Sequence, residues 1–135
     1  MKIHGDIRNV RVLILSSNLS FVETLCFLIN GYGYKVEKAT SISMAKTKME
    51  RRPYDLLLID DQYDDSKGLE KIKEINRSIN SVIILCTSLE SRIGYMDMIL
   101  SGIDNFLLKP FKPVELYNIL QLMSYSVKPM PTSMN

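Results

Sequence analysis

Polar residues able to do chemistry follow the apolar runs of this chain. Ser16, Ser17 and Asn18 follow the first run, and Asp60 and Asp61 follow the third, with Asp64 and Asp65 close behind. Thr87 and Ser88 follow the fourth, and Lys109 and Pro110 the fifth. A carboxylate such as Asp60 can attack phosphorus and form an acyl phosphate. The transferred group then needs cations and hydrogen-bond donors around its equatorial oxygens, roles open to Lys109 and Thr87. Taken singly, Asp60 reads as a turn cap and Lys109 as a solvated surface residue. The trio acquires a chemical meaning only where a fold brings it to one edge.

The elements that must do so are legible as a rhythm. Apolar runs over 10–15, 34–39, 56–59, 82–86 and 105–108 begin every 22 to 26 residues. Leucine, isoleucine and valine dominate the first, third and fourth, as in strands buried on both faces of a parallel sheet. Tyr34-Lys35-Val36-Glu37 alternates apolar and charged residues, which predicts an edge strand.

Segments of helical spacing separate the runs. Ser20 with Glu23 predicts a capping box at the start of the first helix, and Asn30-Gly31 its end. Phe21, Val22, Leu25, Leu28 and Ile29 form its core-facing arc, while Phe27 falls on the opposite side. Residues 41–52 carry Ile42, Ala45 and Met49 on one face, and Pro53 ends them. Leu69, Ile72, Ile75 and Ile79 mark a third helix, and 90–101, stopped by Gly102, a fourth. Pro113 opens a fifth, with Val114, Leu116, Ile119, Leu120 and Met123 as its apolar face. The pattern is (βα) five times over: an α/β, doubly wound parallel sheet with helices on both faces. Ligands of such sheets bind outside the carboxyl ends of the strands, where the polar residues above lie. Residues 1–125 read as one domain and 126–135 as a tail or linker stub.

Composition sets outer bounds. At 135 residues and 46% hydrophobic, the chain suits one globular core and is too apolar for disorder. A net charge of +2 argues against coating nucleic acid or an anionic membrane. Cys26 and Cys86 lie in apolar runs without a CxxC, so they read as reduced core residues, not as a disulfide or zinc site. No apolar stretch approaches the roughly 20 residues of a membrane span, and the first residues lack the apolar region of a signal peptide. A cytoplasmic location is expected.

Several stretches resemble a known family over about residues 8 to 125. They are Tyr54-Asp55-Leu56-Leu57-Leu58-Ile59-Asp60 with Gly68 beyond it, and Ile84-Leu85-Cys86-Thr87-Ser88. Ser101-Gly102-Ile103-Asp104-Asn105-Phe106-Leu107-Leu108-Lys109-Pro110-Phe111 follows, with Gly33-Tyr34 and Ala45 also in place. With this order and spacing the chain resembles the response-regulator receiver domains of two-component signalling, the CheY-like group. The resemblance implies a flavodoxin-like five-stranded sheet of order 2-1-3-4-5. It implies that Asp60 is the phosphoacceptor, Thr87 the switch hydroxyl, Phe106 the aromatic switch and Lys109 the partner of the phosphoryl oxygens, with a cis peptide before Pro110.

The family also holds Mg²⁺, and here the sequence departs from it. The ligands implied are Asp60, the backbone carbonyl of Gln62 and two consecutive acidic residues directly after the first strand. Those two positions are Ser16 and Ser17. Mg²⁺ prefers hard anionic oxygens, so its binding is expected to be weak or absent and Asp60 to pair with Lys109.

The function expected is that of a receiver in a phosphorelay, accepting a phosphoryl group at Asp60 or signalling by protein contacts as a degenerate receiver. The alternative is a phosphorylation-independent pseudo-receiver module. The implied partner is a histidine kinase, a phosphotransfer protein or another signalling protein. Direct binding to nucleic acid or membrane is not expected. A homodimer is open through Tyr95, Met96, Met98 and Tyr117. Phe27 is a candidate contact residue, because in this family the first helix lies beside the docking site of the phosphodonor. An aspartate-nucleophile phosphohydrolase is a distant alternative. Such enzymes need a second acid where Gln62 stands and a substrate-covering insertion, so no enzyme activity is expected.

Overall fold

In the computed structural model, residues 9–60, 80–88 and 102–125 are described. The helical segments expected around 69–79 and 90–101, Gly68 and the tail 126–135 lie outside them. The elements are β1 (Arg11–Leu15), α1 (Leu19–Gly31), β2 (Lys35–Ala39), α2 (Ile42–Arg51), β3 (Leu56–Asp60), β4 (Val82–Ser88), β5 (Asn105–Lys109) and α3 (Pro113–Ser124). All strand pairs are parallel and the sheet order is β2-β1-β3-β4-β5. The alternating strand β2 is an edge strand, as its sequence predicts.

Alternation along the central strands splits the core into two layers. Val12, Ile14, Leu56, Leu58 and Ile84 face α1 and α3, meeting Val22, Leu25, Ile29, Leu116 and Leu120. Leu13, Leu15, Leu57, Ile59 and Leu85 face the other way, toward Ile42 and Ala45 of α2. Each such side chain, once buried, contributes about 1.5–3 kcal/mol. All five residues of β3 are buried, which fits its almost wholly aliphatic sequence.

Two aspartates fix how neighbouring strands begin. The Asp55 carboxylate accepts the Arg11 N–H at 2.9 Å, and the Asp104 carboxylate accepts the Ile83 N–H at 2.7 Å. Each satisfies a backbone donor at the start of the ladder that would otherwise lack a partner.

The caps depart from expectation at α1. Asn18, not Ser20, is the N-cap, and its side chain accepts the Phe21 N–H at 3.1 Å. Glu23 therefore has no capping role; it pairs with Lys38 of β2 at 2.6 Å. At the other end the helix runs through Gly31, and Gly33, with φ of 102°, makes the reversal. α2 begins after Ser41 as predicted, with the Ser41 hydroxyl accepting the Met44 N–H at 3.1 Å. At α3, Pro113 occupies the first turn and the Glu115 carboxylate accepts the Lys112 N–H at 2.7 Å.

Two burial expectations are corrected. Val114 is 57% exposed, because it lies two positions, or about 200° of helix rotation, from Leu116 and so off the buried row. Cys26 is only partly buried on α1, whereas Cys86 is buried in β4, and neither is in a disulfide. Phe27 is 79% exposed, on the side of α1 where the helical wheel puts it. Among the described residues, no helix is long and apolar enough to cross a membrane.

Candidate functional site

The residue rows that build the α1/α3 layer continue past the core at the carboxyl edge of the sheet. Val12 and Ile14 lead to Ser16, Leu56 and Leu58 to Asp60, and Leu107 to Lys109. Because side chains alternate along a strand, these three end on the same face. There they meet. The Lys109 ammonium donates to Asp60 Oδ1 at 2.7 Å, and the Ser16 hydroxyl donates to Asp60 Oδ2 at 2.8 Å. Ser16 is fully buried and Asp60 is 5% exposed, so the Ser16 bond forms out of bulk water, whereas the Lys109 bond is only partly buried.

The direction of the Ser16 bond follows from its other contact. The Asn18 N–H donates to Ser16 Oγ at 3.1 Å, so the hydroxyl hydrogen is left to point at Asp60. Asn18 thus serves twice, its backbone orienting Ser16 while its side chain starts α1. The first turn of α1 carries Phe21, whose ring lies 5.5 Å from the Lys109 ammonium. A cation over an aromatic face is attracted to it, so Phe21 helps hold Lys109 in place. Phe111 packs edge-on against Phe21 at 6.1 Å. Beside Lys109 opens a cavity of about 590 Å³, lined by Phe21, Leu25, Leu28, Ser88, Phe111 and Pro113 among others.

Thr87 and Phe106 belong to the opposite layer. Thr87 continues the Ile83 and Leu85 row, is 1% exposed, and donates to the Ser88 carbonyl at a long 3.4 Å. Phe106 is partly buried against the α2 layer and pairs in register with Leu85. The Lys109–Pro110 peptide is cis. The edge therefore gathers Ser16, Asp60 and Lys109 by direct contact, while Thr87 and Phe106 lie on the other face of the sheet. Ser17 is exposed, so the two consecutive serines part company. Asp61, Gln62, Asp64 and Asp65 lie outside the described residues.

Sequence reading missed the part Ser16 plays. It registers the residue as a missing acid, whereas the hydroxyl is a donor to Asp60. Phe21 belongs to the core-facing arc and also faces Lys109. The shared parity of positions 12, 14 and 16 with 56, 58 and 60 was the available signal.

The described residues do not fit a divalent cation. The site offers one carboxylate, whose two oxygens already accept from Ser16 and Lys109, and otherwise neutral hydroxyls. Among the described residues no group of three His, Cys, Asp or Glu side chains is placed to hold a metal.

Comparison with known proteins agrees with this fold. The family profile of the response regulator receiver domain matches residues 12–121. The transcriptional regulatory protein ZraR of Klebsiella oxytoca is 28% identical over 102 residues, which is 75% of this chain and 23% of that protein. The DNA-binding response regulator MtrA of Mycolicibacterium smegmatis is 25% identical over 111 residues, 82% of this chain and 49% of that protein. The chain thus spans less than half the length of either relative. In fold, it superposes on a two-component response regulator from Clostridium difficile with a TM-score of 0.77 at 21% identity, covering 85% of this chain and 95% of that one. The chemotaxis protein CheY4 of Vibrio cholerae gives a TM-score of 0.75 at 23% identity, covering 84% and 98%. With the profile spanning most of the chain and the strand order in keeping with it, this chain belongs to the response-regulator receiver family.

Proposed function

We propose that this receiver domain accepts a phosphoryl group at Asp60 in a phosphorelay and passes the signal on by protein contact, acting as a signalling module and not as an enzyme. The observation that carries this reading is the Asp60–Lys109 pair, 2.7 Å apart at the carboxyl edge of the sheet. One Asp60 oxygen would form a bond to phosphorus as the bond from phosphorus to the donor's leaving group breaks, and that group keeps the electron pair. Lys109 would balance the charge of the phosphoryl oxygens, and Thr87, as the switch hydroxyl, would turn from the Ser88 carbonyl to donate to them, with Phe106 as the ring that responds. The cavity beside Lys109 supports a protein donor, a phosphohistidine of a kinase or phosphotransfer protein, approaching over the first turn of α1. Exposed Phe27 lies on the same helix and is the contact residue proposed for a partner or a second copy. A cytoplasmic setting follows from such partners.

Incubation with acetyl phosphate, read by mass spectrometry, tests the reading. The expected result is one added phosphoryl group at Asp60 that is lost in Asp60→Asn. An adduct that persists in Asp60→Asn, or none at any donor concentration, overturns it. A phosphorylation-independent receiver is the second reading. It is favoured by the Ser16–Asp60 bond, which occupies the carboxylate with a neutral donor.

A further inference from the structure

We infer that Ser16 stands in for a divalent cation at this site. Its hydroxyl and the Lys109 ammonium between them satisfy the Asp60 carboxylate, and the site neither needs nor binds Mg²⁺. This deepens the receiver reading above and rests on it only for the role of Asp60.

The first argument is charge. Among the described residues of the site, Asp60 and Lys109 sum to zero, where Asp60 is 5% exposed and Ser16 fully buried. A dication entering there would leave a charge of +2 to be stabilised away from water, and Mg²⁺ is dehydrated reluctantly. The second argument is occupancy. Oδ1 accepts from Lys109 at 2.7 Å and Oδ2 from Ser16 at 2.8 Å, so a metal on either oxygen must compete with a short hydrogen bond. The third is that both donors are themselves held. The Asn18 N–H fixes the Ser16 hydroxyl, and the Phe21 ring flanks the Lys109 ammonium at 5.5 Å. A single serine, on the strand row that leads to the acceptor, thereby replaces an anionic ligand that would attract a metal with a neutral donor that hydrogen-bonds Asp60, while Lys109 supplies the balancing charge.

Titration of the full chain with MgCl₂, and with MnCl₂ as a paramagnetic probe, followed by NMR at Asp60 and its neighbours, decides the matter. In the wild type no saturable Mg²⁺ shift and no site-specific Mn²⁺ broadening at Asp60 are expected up to about 10 mM, which is about tenfold above the dissociation constants of even weak extracellular Ca²⁺ sites. Ser16→Asp is expected to produce both, with an affinity gain of at least about tenfold, the equivalent of about 1.4 kcal/mol. Since Ser16 is buried, its replacement is checked for native chemical-shift dispersion, and Ser17→Asp at the neighbouring exposed position gives a second variant. Saturable binding at Asp60 in the wild type overturns the inference whatever the variants do. So does a folded Ser16→Asp protein that still binds no metal, because Ser16 would then not be what excludes it. Failure of acetyl phosphate to modify Asp60 would overturn the acceptor reading and leave the metal result standing. Metal binding by the wild type would do the reverse.

Discussion

At the scale of single residues, the buried Asp60 carboxylate accepts from both Lys109 and Ser16, and these two donors are not equivalent. Removing one partner of a buried ion pair leaves the other uncompensated, which costs about 3–5 kcal/mol in a dry site. The Lys109 side chain is 21% exposed, so water reaches the gap and Lys109→Ala should cost less, about 2 kcal/mol. Asp60→Asn should cost less again, because an amide oxygen still accepts from Ser16 or Lys109 and no anion is stranded. Urea unfolding of the two variants ranks them; an Asp60→Asn protein less stable than Lys109→Ala would contradict the assignment of the pair.

Elements are held to one another by caps and cross-links with their own energetics. The side chain of Asn18 supplies the N-cap bond of a helix whose first turn has no acidic residue to assist. Asn18→Ala should therefore cost about 1 kcal/mol, seen as a lowered denaturation midpoint with unchanged slope. Glu37 links three elements, bonding Arg11 of β1 at 3.2 Å and Lys48 of α2 at 3.5 Å from its place on β2. Partial burial pushes its carboxyl pKa up, but the Tyr54 hydroxyl beside it, Lys48 and Arg11 outweigh that and hold it below the usual value. A carboxyl whose folded pKa is depressed stabilises the fold above the unfolded pKa, and that stability is lost as pH falls through the folded pKa. Between about pH 5 and pH 3 the wild type should lose more stability than Glu37→Gln, by under about 1 kcal/mol for so exposed a group. Parallel losses in the two proteins would refute this.

The molecule as a whole rests on its two core layers, while the surface is tolerant. Leu58→Ala, at the centre of the sheet and 1% exposed, should cost about 2–5 kcal/mol. That is a large part of the roughly 5–15 kcal/mol by which domains of this kind are stable. Phe27→Ser should change stability by no more than about 0.5 kcal/mol, since the ring is 79% exposed. Thermal unfolding of both variants tests the contrast, and any loss of partner binding in Phe27→Ser then reports a lost contact and not a damaged fold.

What the sequence determined by itself is the order of elements and the edge at which they end. Aliphatic runs can bury both faces only as inner strands, and the Tyr34-Lys35-Val36-Glu37 alternation suits only a half-covered edge. The polar residue that follows each run marks the carboxyl end, so Asp60 and Lys109 were legible as neighbours in function. Family resemblance added the strand order, which periodicity alone does not set. Only the tertiary structure decided what Ser16 does. Its partner is 44 positions away, and the bond depends on the β1–β3 register that pairs Leu15 with Ile59. The choice of Asn18 over Ser20 as the cap was also tertiary, because the chain must leave Ser16 beneath Asp60 before it turns into α1. A local pattern states which donors exist; the register between strands distant in sequence states which acceptor each one meets.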